Sequence, residues 1–112
     1  MNKENVDSEI YELCGECFLN AMCMARGIFE HNQGQIIFNE VNKLARYEED
    51  EDVRSLALQC MEEMVDRYFQ YIDDYVEQIC ETTFQIAKHD QEDPRKYALN
   101  VWITLAQKEK YF

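Results

Sequence analysis

The chain has 112 residues, 46% of them hydrophobic, and carries 23 acidic against 11 basic side chains for a formal net charge of −12. This is one domain's worth of chain, with enough apolar content for a folded core rather than a disordered tail. The negative balance would repel a phosphate backbone, which excludes nucleic acid as a natural partner and favours a basic protein segment; it also serves to keep a helical array soluble.

Three Gly and one Pro leave few interruptions, so helix is expected nearly throughout. The first helix is expected from Ser8 to Met24, with Ile10, Leu13, Cys14, Cys17, Ala21 and Met24 on one stripe and Ser8 as N-cap. Gly27 to Gly34 then makes a turn. A second helix is expected from Gln35 to Tyr47, carrying Ile37, Val41, Leu44 and Ala45. Five consecutive acids, Glu48 to Asp52, follow as a solvated turn, and Asp52 is expected to cap the next helix.

The third helix, Val53 to Tyr68, should bury Val53, Leu56, Ala57, Cys60, Met61 and Met64. The fourth, Ile72 to Lys88, should bury Ile72, Val76, Ile79, Cys80, Thr83 and Ile86. Asp93-Pro94 is expected to open a fifth helix, the Asp as cap and the Pro at the first helical position. Its stripe is Ala98, Val101, Trp102 and Leu105. No strand pattern is present.

Five cysteines are an odd count, and the sequence reads with no secretory signal and no apolar run of membrane length. Reduced, intracellular thiols acting as small apolar residues are therefore expected. Cys14-Gly15-Glu16-Cys17 is formally a CxxC, but it has no second pair, and His31 and His89 have no ligand spacing to it. No metal site is expected.

The chain also repeats itself. Asp52-Val53-Arg54-Ser55-Leu56-Ala57-Leu58-Gln59 returns as Asp93-Pro94-Arg95-Lys96-Tyr97-Ala98-Leu99-Asn100, with Asp, Arg, Ala and Leu at matching places. A fainter copy aligns Glu9-Ile10 and Leu13-Cys14 with Asp52-Val53 and Leu56-Ala57. Such a period marks a helical-pair solenoid, whose units cannot bury their apolar faces alone. The organisation expected is the inner helix of a partial repeat (8–24) and two full repeats (35–68 and 71–107), a piece of a longer array.

The segment Val53-Arg54-Ser55-Leu56-Ala57-Leu58-Gln59, followed by Arg67-Tyr68-Phe69-Gln70-Tyr71-Ile72-Asp73-Asp74-Tyr75-Val76, resembles the importin-β nuclear transport receptors, which are built of HEAT repeats. Phe18-Leu19-Asn20, Phe29 and Ile37-Phe38 fall in the same register upstream, and Ala98-Leu99 with Trp102 downstream. Val101 stands where the family commonly has an aromatic. The resemblance implies an all-α HEAT-repeat solenoid segment from the N-terminal half of such a receptor.

It further implies three classes of contact in the cytoplasm, the nucleus and at the nuclear pore. Phenylalanine-glycine (FG) repeats of nucleoporins would insert between outer helices, here at Ile37, Phe38, Tyr71 and Tyr75. Ile37 also reads as core, and Phe38 as cover for the neighbouring repeat. Ran-GTP and an importin-α-type adaptor or basic cargo would meet the inner surface at Glu62, Asp66 and Trp102; the alternatives are solvated acids and a core Trp. Asp52, Arg54, Asp93 and Arg95, which recur at equivalent positions, would form an inter-repeat ladder.

No enzymatic activity and no cofactor are expected. The sequence has no glycine-rich phosphate loop, no nucleophile elbow and no Ser, His and Asp set with a spacing logic. A HEAT-repeat scaffold that assembles proteins unrelated to transport is the rival reading.

Overall fold

The computed structural model describes residues 9, 10, 13, 16, 17 and 34–111. Four α-helices lie in the continuous stretch: α1 (Gly34–Ala45), α2 (Glu51–Tyr68), α3 (Val76–His89) and α4 (Glu92–Tyr111). Two 3-10 turns, Phe69–Tyr71 and Asp73–Tyr75, connect α2 to α3. No strand occurs among the described residues, so the all-helical class holds. Of the helix expected from 8 to 24, Glu9, Ile10, Leu13, Glu16 and Cys17 are helical. Its cap Ser8, the first cysteine of the CxxC, the turn from Gly27, His31, Phe18-Leu19-Asn20 and Phe29 lie outside the described residues.

Short links make α1–α2 and α3–α4 two hairpins of antiparallel helices. The hairpins lie side by side, with α4 packed most extensively on α2. The direction of α4 follows from two contacts. Thr104 approaches Glu62 and Lys108 approaches Asp66, each pair 42 positions apart (108 − 66 = 42 for the second). A constant offset means that α2 and α4 run parallel, and it nearly equals the 41-residue sequence repeat.

Helix α2 is buried on two sides because α1 covers one and α4 the other. Val53, Ala57, Leu58, Cys60, Met61, Met64 and Val65 are all fully buried. They join Phe38 and Val41 of α1, Ile72, Ile79 of α3, and Ala98 and Val101 of α4 in one core. The fully buried Leu58 and Val65 lie outside the single stripe expected for this helix, since a central helix has no solvated half.

Helix boundaries shift for identifiable reasons. Asp50, not Asp52, caps α2: its backbone is extended and its carboxylate accepts the Asp52 N–H at 2.8 Å. Helix α3, expected from Ile72, begins at Val76. There the chain first makes two tight turns, closed by Ile72 N–H to Phe69 carbonyl at 3.3 Å and Tyr75 N–H to Ile72 carbonyl at 2.8 Å.

Helix α4 starts at Glu92, so Asp93 is not its cap, and Pro94 stands third in the helix rather than first. A proline is tolerated there because first-turn N–H groups have no intrahelical acceptor. Cys80, expected in the core, is exposed.

Candidate functional site

The expected outer groove involves α1 and the turn before α3. Phe38 is fully buried, and its ring stacks on Tyr75 with centroids 4.8 Å apart and planes 14° from parallel. Ile37 and Tyr71 are half-buried against the same core. The groove's phenylalanine is thus a core residue, held by Val41 and Ala45, which fall on its own face of α1 at i+3 and i+7. Burial, then the neighbouring Asp74 carboxylate, push the Tyr75 hydroxyl pKa upward. Of the four groove candidates Phe38 is fully buried, while Ile37, Tyr71 and Tyr75 remain part-exposed.

The three inner-surface candidates do not converge. Glu62 and Asp66 share a face of α2, one turn apart, and run along the seam with α4. Asp66 pairs with Lys108 at 3.2 Å. The Thr104 hydroxyl lies 3.5 Å from the Glu62 carboxylate and 2.9 Å from the Asn100 carbonyl, so the helix carbonyl is its better acceptor. The Glu62 pKa is raised, by burial first and by the Glu63 and Asp66 carboxylates, against a lowering from Thr104.

Trp102 sits two positions before Thr104, on the opposite side of α4. Its indole N–H donates to the Thr83 hydroxyl at 2.6 Å, and that hydroxyl donates on to the Ile79 carbonyl at 2.6 Å. Trp102 therefore ties α4 to α3 within the second hairpin.

The ladder has a different membership from the one expected. Arg54 forks onto Asp90, Nε to one carboxylate oxygen at 2.6 Å and Nη2 to the other at 2.7 Å. Its remaining nitrogen donates to the carbonyls of Tyr47 and Glu48 at 2.9 and 3.0 Å. One guanidinium thereby closes the α1–α2 turn and clamps it to the α3–α4 turn. Asp52, Asp93 and Arg95 are exposed. Asp52 and Asp93 instead border one cleft with Glu16, Ser55, Gln59 and Tyr97, at the N-terminal ends of α2 and α4.

A second inter-hairpin link was not signalled by any motif. Arg46 donates to the Thr82 hydroxyl from Nη2 at 3.0 Å, and that hydroxyl donates to the Asn42 side chain at 2.7 Å. Arg46, Arg54, Thr82, His89 and Asp90 together line a cleft where the two hairpins meet. Asp90 stands immediately after α3, and its pairing with an arginine from the previous hairpin is a tertiary fact.

Reactive chemistry is sparse. Burial, assisted by Glu63, pushes the Cys60 thiol up to about 12, so it stays protonated and a poor nucleophile. Among the described residues, no group of three His, Cys, Asp or Glu side chains is arranged to hold a metal ion. No described helix is long and apolar enough to cross a membrane. No family model, curated protein or solved structure matches the chain.

Proposed function

We propose that this chain is a HEAT-type stack of helical hairpins that works by reversible protein binding in importin-β-like nuclear transport. FG nucleoporins would dock at Ile37 and Tyr71, and Ran-GTP or a basic adaptor or cargo would meet the acids along the α2–α4 seam. The observation that carries this reading is the parallel stacking of α2 and α4 at an offset one residue longer than the sequence repeat, because repeat stacks act through extended surfaces. Acids without a catalytic setting, and a surface charge suited to basic partners, support it. Flexing of the stack, with no covalent step, would couple Ran binding to cargo release. The working places would be the cytoplasm, the nucleus and the nuclear pore.

A phenylalanine ring gains roughly 1.5–3 kcal/mol on full burial and less at a part-exposed site, so single FG contacts would be weak and fast. The test is an NMR titration of the labelled chain with an FG-repeat peptide and its Phe→Ser version. Shifts at Ile37 and Tyr71 that vanish with the Ser peptide are expected. A silent spectrum with millimolar FG peptide would defeat the transport reading. The burial of Phe38 under Tyr75 favours the second reading, a HEAT scaffold for protein assembly; it predicts that silence.

A further inference from the structure

The second hairpin has a face turned away from the first, and three large apolar side chains stand on it. Phe84 is 52% exposed, Leu99 47% and Ile103 56%. Around them lie two clefts, one lined by Val76, Cys80, Glu81, Phe84, Trp102 and Ala106, the other by Arg95, Lys96, Leu99 and Ile103 among others. The sequence repeat shows what such a face is built for. Leu99 is the equivalent of Leu58, and Leu58 is fully buried where α4 covers α2. The covered interface thus continues on α4 with nothing described on top of it.

The charges on this face divide by end. Because α3 and α4 are antiparallel, the end of α3 adjoins the start of α4. Lys88, whose ammonium lies 5.8 Å over the Phe84 ring, therefore shares one end with Arg95 and Lys96. Glu77 in the first turn of α3 marks the other end, and Glu81, one turn on, lies towards the middle of the helix; both are exposed. Glu92 breaks the pattern at the basic end, and Lys110, seven positions after Ile103 in α4, breaks it at the other. A two-fold axis lying in the plane of the face and perpendicular to the helices would lay the basic end of one copy over the acidic end of another. The same rotation would bring Leu99, Ile103 and Phe84 together at the centre.

The size is adequate. At 1.5 Å rise per residue, helices of 14 and 20 residues are about 21 and 30 Å long, and two of them side by side are about 20 Å wide. That offers roughly 500 Å² per copy and ~1,000 Å² in total, at the lower limit of specific interfaces.

We propose that the outward face of α3 and α4 is a self-association surface, on which two copies of this chain pair as an isologous, antiparallel dimer. The pairing needs neither Ile37 and Tyr71 nor the α2–α4 seam, so it stands or falls separately from the transport reading.

Sedimentation equilibrium of the full chain at about 0.15 M salt, where long-range repulsion between two acidic chains is screened, provides the test. The expected mass is twice the monomer's 13.4 kDa. Leu99→Glu with Ile103→Glu should return the monomer without loss of helical circular dichroism, since both side chains are exposed. The double variant Arg95→Glu, Lys96→Glu and the double variant Glu77→Lys, Glu81→Lys should each weaken pairing at least tenfold. Mixed one to one, they should regain it as a heterodimer. A chain that stays monomeric at ~0.5 mM overturns the proposal, as does a dimer indifferent to Leu99→Glu and Ile103→Glu. Failure of the mixture to recover overturns the pairing of opposite charges across the interface.

Discussion

The Arg54–Asp90 clamp gives the sharpest quantitative expectation. Its side chains are 13% and 11% exposed, and its fork has two hydrogen bonds of 2.6 and 2.7 Å. Removing one partner of a buried pair costs about 3–5 kcal/mol, because the other charge is left desolvated. The small residual exposure lets water in, so about 3 kcal/mol is expected for Asp90→Ala. Arg54→Met should cost somewhat more, since the Tyr47 and Glu48 carbonyls lose their donor too. At roughly 4–8 °C per kcal/mol for a small domain, the melting temperature should fall by about 12–24 °C for Asp90→Ala. Urea unfolding followed by circular dichroism, run as a double-mutant cycle, measures both the singles and their coupling. Two singles each below about 0.5 kcal/mol, or strict additivity, would refute a structural clamp between the hairpins.

Other expectations are more local. Phe38→Ala should destabilise the fold by about 3–5 kcal/mol through the cavity it leaves beneath Tyr75, measured by chemical denaturation; an unchanged midpoint would mean the ring is not core. Glu62 is raised from its ordinary 4.5. The native state therefore holds its proton longer than the unfolded chain, and stability declines as pH rises through and above that value. Glu62→Gln should flatten that decline and leave stability near pH 4 unchanged, read from denaturation midpoints across pH. In thiol labelling near pH 8 with peptide mapping, Cys17 and Cys80 should react quickly and Cys60 only on unfolding. Rapid labelling of Cys60 in the folded chain would show that its burial is wrong.

How much was legible in the sequence varies residue by residue. The helical class and the stripes through Val41, Leu44, Ala57, Met61, Ile79 and Val101 follow from local periodicity. A helix's apolar spacing is a property of its own residues, so it survives without knowledge of the neighbours. The break between α2 and α3 did not survive this way. Ile72 keeps the helical spacing and is buried, yet it lies in a tight turn, because burial alone does not distinguish a helix from a compact connection.

The candidate site depended on tertiary structure far more. Rotation between adjacent helical positions is 100°, so Ile37 and Phe38 compete for one core slot, and the place of Tyr75 decided for Phe38. The same rotation carried Trp102 to α3, away from Glu62 and Asp66. Arg54 is singled out by its recurrence, but its partner is Asp90 in the turn 36 positions away rather than an acid of the repeat. The sequence by itself determined which segments are helices and how they repeat, since both are written in nearest-neighbour spacing. Only the tertiary structure decided which side chains meet, because the register between hairpins is set by packing and long-range hydrogen bonds that no single segment encodes.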